Sequence, residues 1–386
     1  MFNNFSEKFP NIKKFALLFL FISTMYLVAA SSFHGFFAKW TFRDSLESNC
    51  TLCFSGMLEG TASRPFVHRR LIIDTSNAIA QILPESAKKP FYKLSNRISK
   101  EYGRSVVKPD QKVQYAITYL ISFVAYFLAL LIFVHVTYTV TGSLLSATVG
   151  TSLFALLFPV LETGGGYYYD LGELFFFSIS ILACLKRKYY LLLLITPFAT
   201  FNKESFFFFI PTLAPFIVFC NHKCTSILPN RHEIKNILLS ADFRKAIFTL
   251  GSALLIAGIV YLFVKYNFAK NPGGTTSWWL PRRIDELFVV SSYFHLESTY
   301  GLKTPGRMNI ISVISALSVI LLTWSSLPKV WQLHFVVVAV IQLPLYWLFC
   351  MTGELRNLSF FFPLFILMLS LFIQNLILDD KRAEKP

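Results

Sequence analysis

Side chains able to do chemistry are scarce in this chain, and they stand in a few short runs. Trp40-Thr-Phe-Arg-Asp44-Ser-Leu-Glu47 carries two acids spaced i,i+3, which a helix would present as paired carboxylates. Glu59-Gly-Thr-Ala-Ser-Arg64-Pro-Phe-Val-His68-Arg69-Arg70 sets three arginines around one histidine. The planar guanidinium fork suits phosphate because it donates two parallel hydrogen bonds. His68 has a ring that can titrate near neutral pH. Asp170 and Glu173 follow Gly164-Gly-Gly-Tyr-Tyr-Tyr169 and fall on one helical face. Asn202-Lys203-Glu204 is flanked on both sides by aromatic, apolar sequence, and Glu354 and Arg356 stand between two apolar stretches. Carboxylates of this kind can accept protons, and cations can neutralise charge growing on a phosphate.

Each run also has a plainer explanation. Asp170 and Glu173 suit a helix N-terminus, where the macrodipole favours acids. Lys203 and Glu204 could be a turn ion pair of little energetic value. Glu354 and Arg356 could face lipid head groups, and the Arg64–Arg70 run could rest on an anionic surface. Asp44 and Glu47 could lie on a solvated loop. What the plain explanations leave unexplained is that three polar turns far apart in sequence fall on the same side of the bundle derived next.

The elements that must position these residues follow from composition. Of 386 residues, 54% are apolar and 15% charged, with 42 phenylalanines and a mean hydropathy of +0.54. A soluble domain carries about 25% charged residues. A disordered chain, a disulfide scaffold and an ordinary cytosolic enzyme are excluded, and a polytopic membrane protein remains. The net charge of +15 accompanies no nucleic-acid motif, so cytoplasmic loops and anionic head groups account for it better. The fold expected is all-α, a single integral membrane domain over residues 1–386.

Ten apolar segments emerge: Phe15–Ala30, Val113–Tyr138, Leu144–Leu161, Leu171–Leu185, Tyr189–Phe201, Ser205–Cys220, Ala246–Val264, Asn309–Leu327, Val330–Met351 and Leu358–Leu378. The first reads as an anchor, although Val28-Ala29-Ala30 would also suit cleavage of a signal peptide. Lys186, Arg187, Lys188, Arg244, Lys245, Lys381 and Arg382 fall on one side, which the positive-inside rule makes cytoplasmic together with both termini. Residues 31–112 form a large first extracytoplasmic loop, within which Leu71–Leu83 reads as an amphipathic helix on the membrane. Residues 265–308 form a second, with Trp278, Trp279, Arg282, Arg283, Asp285 and Glu286. Cys50-Thr-Leu-Cys53 could form a local disulfide, and Cys220, His222, Cys224 and His232 match no zinc signature. No dinucleotide or Walker-type glycine loop occurs, and no internal repeat is evident.

The many segments, the large early outward loop with its acids, and the Arg64-Pro-Phe-Val-His-Arg69-Arg70-Leu, Tyr169-Asp170 and Asn202-Lys203-Glu204 motifs resemble the GT-C superfamily of membrane glycosyltransferases. The likeness covers the layout of most of the chain. It departs in the early acids, since Asp44 and Glu47 are separated by two residues where that superfamily usually has a closer acidic pair. The resemblance implies sugar transfer from a polyprenyl-phosphate donor to a glycan or lipid acceptor outside the cytoplasm, at a bacterial inner membrane. It implies Asp44, then Asp170, as general base, with Arg69, Arg70, Lys203 and Arg356 set against the leaving phosphate. Arg64, His68, Glu173, Asn202 and Glu354 would line the substrates. Glu47 and Glu204 would orient cations or bind magnesium or manganese. The chief rival is a transporter or flippase of a lipid-linked or anionic solute, whose charges would lie at mid-depth. A non-catalytic membrane assembly partner is the third possibility.

Overall fold

The computed structural model describes residues 10–42, 52–102, 107–219, 240–274, 279–351 and 353–383. Asp44, Glu47, Cys50, Cys220, His222, Cys224, His232 and Trp278 lie outside the described residues.

The chain is helical because a backbone in hydrocarbon must satisfy its own hydrogen bonds, which an α-helix does within one segment. The long helices are α1 (Pro10–Trp40), α5 (Lys112–Thr141), α6 (Leu144–Leu161), α7 (Tyr168–Leu185), α10 (Ala241–Asn267), α13 (Lys329–Phe349) and α14 (Phe362–Ala383). Shorter apolar helices are α8 (Tyr189–Asn202), the interrupted α9 (Phe206–Val218) and α12 (Ile310–Thr323). Three small helices, α2 (Phe54–Glu59), α3 (Leu71–Ile82) and α4 (Glu85–Glu101), fill the first loop, and α11 (Leu280–Leu287) lies in the second. Local sequence sets several ends. Gly142 closes α5 in the left-handed region, and Ser143 caps α6 by accepting from the Ser146 N–H at 3.2 Å. Ser240 caps α10 through the Phe243 N–H at 3.0 Å.

Among the described residues, seven helices are long and apolar enough to cross a membrane. Each of the ten apolar segments finds a helix, but three fall short of that length. Pro211 and Pro215 divide α9 into α, 3-10 and α pieces because proline supplies no N–H, and Pro197 sits inside α8. Among the described residues the all-α expectation has one exception. Strands β1 (Leu296–Thr299) and β2 (Leu302–Pro305) form an antiparallel hairpin. Tyr300 and Gly301 both take positive φ at its tip, as a tight two-residue turn requires.

Close packing joins the long helices. A Cβ on Gly150 would come within 2.5 Å of the Ser370 Cα and N, so only glycine lets α6 and α14 approach this closely. Tyr126, Phe133, Phe154 and Phe158 are buried in one core between these helices. Helix α3 spans about 18 Å at 1.5 Å per residue, too short to cross. It packs against α5, where Thr118 Oγ1 donates to Ser76 Oγ at 2.8 Å, and leaves Ile79 and Ile82 exposed. The two loops are stitched together at one end of the bundle. Arg64 donates from its backbone to the Pro272 carbonyl at 2.9 Å and from Nη2 to the Gly273 carbonyl at 2.6 Å. Asn271 Nδ2 donates to the carbonyls of Gly60 and Ala62, and Lys39 pairs with Glu297 at 2.7 Å.

Candidate functional site

At that end of the bundle the sequence-selected residues meet. Asp170 sits in the first turn of α7, where its Oδ2 accepts the Tyr167 N–H at 3.0 Å. One turn on, Glu173 lies on the same face. Between them, a Cβ on Gly172 would stand 2.6 Å from Asn202 Oδ1. The bare glycine therefore admits the end of α8, where Asn202 Nδ2 donates to the Tyr169 carbonyl at 2.9 Å. This contact delivers the next residue, Lys203, into the bundle. Its ammonium donates to Asp170 at 2.9 Å and to Glu173 at 2.8 Å, with all three side chains buried.

Two arginines complete the cluster. Arg356 donates from Nη1 to Asp170 at 3.3 Å and from Nη2 to Glu354. Glu354 in turn accepts the Met351 N–H at 3.1 Å. Arg69 grips Glu204 with two parallel bonds, at 3.1 and 2.7 Å, and donates to the Tyr169 hydroxyl. The rings of Tyr167 and Tyr169 stack 4.9 Å apart and nearly parallel. Arg356 lies 4.9 Å from the Tyr167 ring and Arg69 4.4 Å from the Tyr169 ring, so the tyrosine pair is sandwiched between two guanidinium groups.

Asp170, Glu173, Asn202, Lys203, Glu204, Glu354, Arg356 and Arg69 therefore gather in one network. His68 is buried beside it, and burial pulls its imidazole below the ordinary value despite Glu204. Arg70 does not join. It turns to Asp74 and the Met57 carbonyl, with its guanidinium over Phe268. Arg64 belongs to the joint between the loops. Both are neighbours of Arg69 in sequence, but successive residues around this bend point different ways.

Electrostatics explain why the network is closed. Burial would strip charge from Lys203, but Asp170 and Glu173 outweigh it and hold the ammonium above its usual range. Burial also opposes the Glu204 carboxylate, yet Arg69 prevails and keeps it low. Three cations (Arg69, Lys203 and Arg356) face four carboxylates that each hold an ion pair. The carboxylates of Asp170, Glu173 and Glu204 are taken up by these cations. Among the described residues no group of three or more His, Cys, Asp or Glu could hold a metal ion.

One member of the site escaped the sequence reasoning. Glu162, at the end of α6, is buried among the same charges. Burial raises its carboxyl well above the ordinary value, and Asp170 adds to the effect. Its signal was an acid directly abutting an apolar run of spanning length, which is costly unless the site uses it. Beside the cluster lies an apolar cavity of about 420 Å³ between α12, α13 and α14. Leu161 and Leu355, the neighbours of Glu162 and Arg356, line it, with Arg307 exposed at its edge.

No protein-family model, no curated protein and no solved structure matches this chain.

Proposed function

We propose that the chain is a membrane-embedded glycosyltransferase that moves a sugar from a polyprenyl-phosphate donor to a glycan or lipid acceptor. One observation carries this reading: a buried cluster of paired acids and bases adjoins an apolar cavity at a single end of the helical bundle. In the proposed topology ten segments cross a bacterial inner membrane, with Lys186–Lys188 and both termini in the cytoplasm. The cluster then lies on the extracytoplasmic side. The cavity volume falls within the ~300–1,000 Å³ usual for ligand sites. It would hold part of the isoprenoid chain and place the phosphate between Arg307 and the cluster.

In this mechanism the paired cations are preorganised and need no rearrangement as charge develops on the leaving phosphate. Asp170 accepts from Tyr167, Lys203 and Arg356, so it positions those cations. Glu204 and Glu354 are more exposed than Asp170 and Glu173, and they are the carboxylates a phosphate would displace.

The test is transfer of radiolabelled sugar from a polyprenyl-phosphate donor in proteoliposomes. Asp170→Ala is expected to lower transfer by 100-fold or more while the protein still inserts. Full transfer by both Asp44→Ala and Asp170→Ala rejects the proposed roles. Labelling of Cys substituted at 204 and 356 from both membrane sides, changing with solute, would favour transport instead.

A further inference from the structure

A transferase of this kind must remove a proton from the acceptor hydroxyl, and most carboxylates of the cluster are committed to cations. Glu162 is different. It is 1% exposed, and its Oε2 has no hydrogen-bond partner among the described residues. An unsatisfied buried carboxyl oxygen is costly, and a catalytic role is one reason a structure keeps it. Arg356 Nε is likewise buried and without a partner. An acceptor and a donor left open in one charge cluster match a hydroxyl, which can donate to the first and accept from the second. Leu161, the preceding residue, lines the cavity proposed for the donor.

We propose that Glu162 is the proton acceptor of the transfer, an assignment that rests on the glycosyltransferase reading. The acceptor O–H bond breaks and its proton passes to Glu162 Oε2. The oxygen bonds to the anomeric carbon as that carbon's bond to the phosphate oxygen breaks. The electron pair leaves with the polyprenyl phosphate. The charged groups acting on Glu162 are Asp170 and Glu173 from α7, Lys203 after α8 and Arg356 before α14. Burial, Asp170 and Glu173 push its affinity for protons up against Arg356 and Lys203, so the carboxyl accepts a proton only in its ionised form, which grows as pH rises.

The experiment compares wild type, Glu162→Gln and Glu162→Asp in the proteoliposome assay, with donor binding and thermal unfolding measured on each. Glu162→Gln should lose at least about 100-fold in transfer rate. It should bind the donor within twofold of wild type and unfold no earlier, because a neutral amide replaces the buried acid. Glu162→Asp should recover part of the rate. The wild-type rate should rise with pH along a limb that Glu162→Gln lacks. Transfer by Glu162→Gln within threefold of wild type, with the same pH profile, overturns the assignment. So does a loss of donor binding and stability equal to the loss of rate. Absence of transfer by the wild type itself overturns the glycosyltransferase reading beneath it.

Discussion

Replacing Lys203 by methionine keeps most of the side-chain length and removes one charge. Two buried carboxylates then lose the cation that bridges them at 2.9 and 2.8 Å. Removing one partner of a buried ion pair costs about 3–5 kcal/mol, because an uncompensated charge stays behind. The sum here stays near one such penalty. Arg356 remains 3.3 Å from Asp170, and the Ser205 hydroxyl still donates to Glu173. Against a typical total of about 5–15 kcal/mol, this loss is large. It amounts to roughly a 10²- to 4 × 10³-fold change in the folding equilibrium, at tenfold per 1.4 kcal/mol. Reversible denaturation in mixed micelles, followed by circular dichroism, measures it. Asp170→Asn on the Lys203→Met background should recover part of the loss, giving a coupling of at least about 1 kcal/mol between the two sites. A loss below about 1 kcal/mol, as for exposed pairs, with no coupling, would refute the claim that the cluster is a closed, dry network.

Three further outcomes follow from the same geometry. Gly150→Val should destabilise by about 1–3 kcal/mol or more, since the new atoms meet the Ser370 backbone; denaturation midpoints report it. Gly172→Ala should push Asn202 away and shift Lys203, lowering transfer while Asp170 and Glu173 remain; rate and thermal unfolding on the same sample test this. Arg69 holds the Glu204 carboxyl below its unfolded value of about 4.3. That contribution is complete above the unfolded value and disappears as pH falls through the folded one, so unfolding midpoints should drop in acid. With Arg69→Met, burial is opposed only by a backbone hydrogen bond and Lys203, and this part of the acid loss should shrink.

Much of the fold was legible because hydrocarbon leaves the backbone few choices. Ten apolar runs each became a helix, and helix α3 appeared within a residue of its expected end. Short elements were harder to read. The β1–β2 hairpin depends on two positive-φ residues at 300 and 301, and Tyr300 gives little warning of one. The interruption of α9 was visible as Pro211 and Pro215, but its energetic outcome depended on neighbours.

Sequence by itself determined the helical membrane character, the scarcity of charge and the short turns where the charges stand. The reason is that apolar length and charge position are properties of single segments. Tertiary structure alone decided which charges pair. Lys203 reaches Asp170 and Glu173 because Gly172 admits Asn202, and Arg69 reaches Glu204 while adjacent Arg70 turns to Asp74. For Lys203 and Arg69 those choices rest on close approach between segments 30 or more residues apart in the chain, where a missing Cβ or one turn of helix reassigns the partners. The same packing left Glu162 beside the cluster with an open oxygen, which no local pattern in the sequence could specify.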